Sequence, residues 1–253
     1  SLEDALKLVV SRSELMQSMA PGSMLSVPLS AERIRQDLQS QNLALEIAAE
    51  NGPTLCVVSG PKANIERYQT LLTTRDEGES QILRTSHAFH SAMMEPMLKS
   101  FERVLEKVAL NSPRLPYISN LTGTWITEKQ ATDPQYWCQH LRHSVRFSQG
   151  IRTILDETEN ALLLEIGPGK TLGQLTRLNQ TKDQVSVVVL SSLPTVHERT
   201  SSTDFIMNSL AQAWVKHQPV LWDALYEQER RLKVSLPTYP FERTKYWIDA
   251  GKS

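Results

Sequence analysis

Between residues 21 and 86 the chain switches repeatedly between two hydrophobic periods. Residues 24–29 and the alternating stretch 43–49 read as strands, 54–59 is β-branched and apolar, and 80–85 closes the series. Two helical patterns lie between them. Residues 30–42 are capped by Ser30 and carry Ile34 and Leu38 on the apolar face; residues 61–74 are opened by Pro61, with Ile65, Tyr68, Leu71 and Leu72 facing inward. Glu50-Asn51-Gly52-Pro53 supplies the turn between the two central strands. The resulting order, βαββαβ, predicts a ferredoxin-like subdomain. That fold hosts so many activities that it carries no function by itself.

On either side the period is helical. Residues 1–19 place Leu2, Ala5, Leu6, Val9, Val10 and Leu15 on one stripe, with Ser1 and Asp4 at capping-box spacing. Residues 92–108 predict one long helix whose Met94, Met97, Leu98, Phe101, Leu105 and Val108 fill core. An extended segment at 117–119 and a turn at 120–123 follow. Asp133 and Pro134 then stand at the N-cap and first position of a helix that carries Tyr136, Trp137 and His140, and residues 147–158 form another amphipathic helix. Residues 161–166 and 185–190 are short apolar runs of the kind buried in parallel sheets. The first runs into Gly167-Pro168-Gly169, a tight turn before a helix at 172–178. It is not a phosphate loop, because that motif needs glycine where Leu164 stands. The whole reads as an α/β chain: a parallel-sheet domain with the ferredoxin-like subdomain inserted. Beyond Pro194 one helix, 204–217, precedes a tail from Val220 to Trp247 whose aromatics and prolines need a surface to lie on.

Composition narrows the function. The 253 residues suffice to bury a real core. A net charge of −1 and a pI of about 6.6 leave no basic field for nucleic acid. No apolar run approaches the roughly 20 residues that span a bilayer, so no membrane partner is expected. Cys56 and Cys138 are too few for a disulfide scaffold, which fits a reducing cytoplasm.

The chemistry concentrates in Thr85-Ser86-His87-Ala88-Phe89-His90-Ser91. This stretch ends the β-rich region and opens a helix, a terminus from which a histidine reaches a cleft, and His90 is the candidate general base. An arbitrary histidine is more often a hydrogen-bonded core residue. A zinc site wants three or four ligands, and nothing completes such a set around His87 and His90 or around His140 and His143, so no metal is expected. Arg12, taken alone, reads as a solvated charge on the polar face of the first helix.

Five segments change that balance: Ser1-Leu2-Glu3-Asp4-Ala5-Leu6 leading to Arg12, Asn51-Gly52-Pro53, His87-Ala88-Phe89-His90-Ser91, Glu165-Ile166-Gly167-Pro168-Gly169, and Leu236-Pro237-Thr238-Tyr239-Pro240-Phe241. Through them, and over nearly its whole length, the chain resembles the acyltransferase domain of modular type I polyketide synthases, related to bacterial malonyl-CoA:acyl-carrier-protein transacylase. The resemblance implies a partial α/β-hydrolase-like domain made of residues 1–20 and 87–193, the ferredoxin-like subdomain at 21–86, and a linker at 194–253 that runs back over a neighbouring ketosynthase. It implies that malonyl-CoA is the substrate and that the acceptor is the phosphopantetheine arm of an acyl carrier protein; no cofactor is implied on this chain.

The resemblance also assigns roles. His90 deprotonates the nucleophilic serine, Arg12 grips the free carboxylate of the malonyl group with its planar donors, and Phe89 and His87 contact the substrate. His-Ala-Phe-His is the malonyl-selective pattern, whereas methylmalonyl-selective members carry Tyr-Ala-Ser-His. The backbone carbonyl of His140 would hold the catalytic imidazole, in place of the buried Asp of a protease triad. One departure weighs against activity of this chain alone: the family's Gly-His-Ser-x-Gly elbow precedes the segment that begins here at Ser1. A non-catalytic docking remnant and an acyl hydrolase are the alternatives, the second disfavoured by Arg12.

Overall fold

The computed structural model describes residues 1–158, 161–181, 187–229 and 232–244. Helix α1, Leu2–Gln17, starts with the expected capping box: the Ser1 hydroxyl accepts from the Asp4 amide at 3.2 Å and donates to its carboxylate at 2.7 Å. Most of the expected apolar stripe, all but Leu15, however, faces outward. Leu2, Leu6, Val9 and Val10 stay exposed, while Leu8, Leu15, Met16 and Met19 pack against buried Met94, Met97 and Phe101. The sequence offers two apolar stripes at helical spacing, and contact with the following helices selects the one that contains Arg12.

Strands β1 (Ser23–Val27), β2 (Glu46–Gly52), β3 (Leu55–Gly60) and β4 (Gln81–Ile82) form an antiparallel sheet in the order β4-β1-β3-β2. Helices α2 (Ala31–Ser40) and α3 (Lys62–Thr74) alternate with them in the predicted βαββαβ sequence. Leu25, Val27 and Val58 point to the helical face and meet Ile34, Ile65 and Leu72, closing a core. Asp37 of α2 is tied to α3 through the Tyr68 hydroxyl at 3.4 Å and to Arg75, just beyond α3, at 2.8 Å. β4 is shorter than expected, although the Leu83 amide still reaches the Met24 carbonyl at 2.9 Å. A two-residue edge offers little template for pairing with another chain.

The long helix expected at 92–108 is instead a 3-10 helix, Ala92–Met97, followed by α4, Leu98–Leu105. Pro96 has no amide to complete an α-turn, and the chain tightens around it. Helices α5 (Glu128–Ala131), α6 (Pro134–Arg142) and α7 (Phe147–Glu157) follow, α6 capped by Asp133 with Pro134 in its first turn as expected. β5 (Leu162–Pro168), α8 (Thr171–Asn179) and β6 (Val188–Leu193) form a βαβ unit whose two strands pair in parallel. The burial expected of 161–166 is only partial: Leu164 and Ile166 are exposed, because among the described residues β6 alone pairs with β5. The expected strand at 185–190 is met from Val188 onward; residues 185 and 186 lie outside the described ones. α9 (Ser202–Val215) packs on β6, and α10 (Trp222–Leu225) sets Trp222 edge-on to Trp214. Residues 232–244 of the tail are exposed, and positions 245–247 lie outside the described residues.

Candidate active site

The turn that carries His90 is held from both sides. Gly22, just before β1, donates its amide to the Ser86 carbonyl at 3.2 Å, and a Cβ there would stand 2.6 Å from the Ala88 Cβ, so only glycine permits this approach. The Ser91 hydroxyl donates to the Ala88 carbonyl at 2.7 Å and closes the turn. Within it His90 adopts φ 57°, a left-handed conformation that costs a side-chain-bearing residue about 1–2 kcal/mol. Such strain persists where surrounding contacts over-determine it, typically at functional sites.

His90 Nδ1 lies 2.8 Å from the His143 carbonyl, an acceptor, so Nδ1 carries the hydrogen and Nε2 is left with its lone pair. The carbonyl expected for this task is that of His140. It also bears on the ring, but the short hydrogen bond is made three residues later, where α6 has ended and its last carbonyls have no intrahelical partner. Burial lowers the His90 pKa and the Arg12 charge lowers it further, against the opposing pull of the two carbonyls. The ring is therefore neutral near pH 7, the state a base requires.

Arg12 shares the inward, partly buried face of α1 with Leu8 and Leu15. Its Nε is buried and has no hydrogen-bond partner, and among the described residues the guanidinium makes no ion pair. Burial lowers its pKa, yet a guanidinium keeps its charge. The same charge, together with burial as the larger cause, pushes the His140 imidazole down to about 4. His140 is set among the rings of Tyr136 and Trp137, at 6.3 and 5.9 Å. A half-buried cation with an unpartnered Nε thus stands beside two neutral imidazoles.

The other two sequence candidates sit differently. His87 is 4% exposed, with Nε2 donating to the Met19 carbonyl at 3.1 Å and Nδ1 at 2.8 Å from the Ser86 hydroxyl. Both nitrogens are committed, so His87 fastens the turn to the end of α1, in place of the expected substrate contact. Phe89 packs on the face of the small sheet opposite α2 and α3, against Met24, Ala48 and Val57, and also joins the Met94 and Phe101 cluster. It is the wedge between the two halves of the chain, directly beside His90.

Sequence reasoning missed the contacts around His143. Arg142 donates to both carboxylate oxygens of Glu46, at 2.7 and 3.1 Å, and to Glu95 at 2.8 Å. The Val145 amide donates to the Ala48 carbonyl, and the Val145 carbonyl accepts from Glu50, each at 2.9 Å. Glu46 and Arg142 are 96 residues apart, too far for any local pattern to pair them. Among the described residues no group of three or more His, Cys, Asp or Glu is placed to hold a metal ion, and no helix is long and apolar enough to cross a membrane.

Comparison with known proteins agrees with this geometry. Residues 1–239 match the family model described as acyl transferase domain. The spectinabilin polyketide synthase system protein NorB of Streptomyces orinoci is 33% identical over 253 residues, which is 99% of this chain and 12% of that protein. The acyltransferase domain from the second module of the salinomycin polyketide synthase superposes with a TM-score of 0.82 at 36% identity, covering 95% of this chain and 55% of that one. A malonyl CoA-acyl carrier protein transacylase from Burkholderia pseudomallei gives a TM-score of 0.63 at 30% identity, over 72% of this chain and 64% of the other. The chain thus spans about half the length of the solved synthase domain it matches and a small part of the synthase protein. By its sequence, its fold and the setting of its histidine, this chain belongs to the acyl transferase domain family, in the form found in modular polyketide synthases.

Proposed function

We propose that this chain supplies the base and the carboxylate-binding arginine of a site that moves malonyl from malonyl-CoA to the phosphopantetheine arm of an acyl carrier protein. The observation that carries this reading is Arg12: a half-buried guanidinium with a buried, unpartnered Nε, next to a neutral His90 whose Nε2 is available. A carboxylate on the acyl group satisfies the guanidinium in bidentate fashion and leaves the thioester within reach of the base. A simple acyl chain leaves the cation unpaired, which favours an extender-unit transferase over a general acyl hydrolase.

In this reading His90 Nε2 takes the proton of a serine hydroxyl as its oxygen attacks the thioester carbonyl, and the imidazolium returns that proton to the departing coenzyme A thiolate. The pantetheine thiol then gives its proton to the same nitrogen and attacks the acyl-serine ester; the imidazolium passes that proton to the departing serine oxygen, which restores the hydroxyl and the neutral base. The His143 carbonyl, with that of His140, stabilises the imidazolium between the two transfers. No Gly-x-Ser-x-Gly occurs in the sequence, so the serine belongs to residues outside it, and the chain alone is inactive. The sheet of order β4-β1-β3-β2 acts as a ferredoxin-like subdomain over an α/β-hydrolase-like body, with Phe89 at the seam filling the space that a 2-methyl branch needs. The exposed aromatic tail is the linker that lies on a neighbouring ketosynthase.

The test is to express the chain together with the coding sequence upstream of Ser1 and to follow radiolabel from malonyl-CoA onto the protein and then onto a carrier protein. Arg12→Ala is expected to abolish malonyl loading while raising acetyl loading relative to it. Equal malonyl uptake by Arg12→Ala and the parent would overturn the reading.

A further inference from the structure

The bond between His90 and the His143 carbonyl joins segments 53 residues apart. Two residues beyond His90, the Ala92 amide donates to Glu46 Oε1 at 2.8 Å. One residue before His143, Arg142 donates through Nη1 to Glu46 Oε2 at 2.7 Å and through Nη2 to Oε1 at 3.1 Å. A single carboxylate on β2 therefore touches the histidine segment and the carbonyl segment at once. We propose that Glu46 is a positioning residue, which sets the spacing between the His90 imidazole and the carbonyl that orients it by gripping the chain on both sides of that bond.

Three features support this. The carbonyl segment is attached to β2 a second time, through the Val145 pairing with Ala48 and Glu50, so His143 lies between two anchors on the same strand. Arg142 is only 14% exposed and forks onto the carboxylate, unlike the single-contact surface pairs that contribute little. Glu46 also accepts three hydrogen bonds, which the two oxygens of an ionised carboxylate accommodate and the one oxygen of a glutamine side chain does not. The catalytic meaning of the proposal rests on His90 being the base; its geometry does not.

The test reads the bond itself, in the 253-residue chain with isotope-labelled histidine. Imidazole nitrogen shifts and their pH titration report the tautomer and pKa of His90. Glu46→Ala and Glu46→Gln are expected to move His90 from the Nδ1–H form toward a mixture with Nε2–H. Its pKa should fall by about one pH unit, because the lost carbonyl bond favoured the charged ring. Arg12 and His140, the other groups acting on His90, are unchanged in these variants. Arg142→Met should reproduce the carbonyl end of the effect, and the double variant should go no further than Glu46→Ala. His87, bonded to Ser86 and Met19, is the internal reporter of a native turn. Native His87 signals with an unchanged His90 tautomer and pKa in Glu46→Ala would overturn the proposal. Should Glu46→Ala not fold, the same criterion applies to the isosteric Glu46→Gln. Loading assays that exclude His90 as the base leave this result standing, so the two readings fail separately.

Discussion

The four-stranded sheet with α2 and α3 and the two-stranded unit of β5 and β6 differ in how far each closes its own surface. The first buries Leu25, Val27, Val58, Ile65 and Tyr68 completely, and its one short edge, β4, exposes two residues. The second leaves Ile166 at 79% and Leu172 at 51% exposed, and an apolar pocket of about 520 Å³ lies between its two strands and α9 with α10. α1 behaves like the second region, with Leu2 78% exposed. An antiparallel unit with a helical layer completes a core from local connections, whereas parallel strands reach full burial only when both faces and both neighbours are covered. The candidate site lies where these regions meet: Arg12 comes from α1, Phe89 packs on both the small sheet and the Met94 and Phe101 cluster, and Glu46 of the closed sheet grips the segments of His90 and His143.

The largest effect is expected at the seam. With the serine-bearing segment supplied, His90→Ala should slow acyl loading about 10³-fold, near the middle of the range for a general base; a loss under tenfold would remove His90 from the chemistry. Next come the two cores. Leu25→Ala should cost about 2–5 kcal/mol in urea unfolding, since it empties a closed core. Ile166→Ala, on the open unit, should stay within about 0.5 kcal/mol. Equal costs would show that the open unit is covered in solution, and the contrast between the two regions would fail.

A smaller effect separates the site from both cores by pH. His140 titrates at about 4 in the folded chain, below its ordinary value of 6.5, so the unfolded state binds more protons between those values. Stability therefore falls as pH drops through that window, with a slope approaching about 1.4 kcal/mol per pH unit, and is fully regained above 6.5. His140→Gln should flatten this slope in pH-dependent unfolding, whereas Leu25→Ala should shift the curve without changing its shape. The smallest effect concerns selectivity. Phe89→Ser should raise methylmalonyl loading relative to malonyl by about tenfold, measured by competition between the two thioesters. No rise would assign Phe89 to packing the seam alone.

The short run around His90 was legible as a candidate site because residue identity and place at an element boundary are local properties. Which carbonyl holds that histidine most closely was not. The expected one, at His140, also bears on the ring, but the short hydrogen bond is made by His143, since that choice depends on where α6 stops and how residues 143–146 dock on β2. His87 looks equivalent to His90 in sequence, yet burial at 4% exposure and two filled nitrogens give it a structural task.

Period and turn chemistry alone determined the βαββαβ order, the caps at Ser1, Ser30 and Asp133, and the strand character of β5 and β6, because each depends on residues a few positions apart. Tertiary structure decided the rest. α1 carries two apolar stripes of similar strength, and only packing on α4 determined that the one with Arg12 turns inward. The exposure of Ile166 depends in the same way on which strands flank β5. The strain at His90 and the Glu46 brace likewise arise from contacts between distant segments, whose pairing energies no local window of sequence contains.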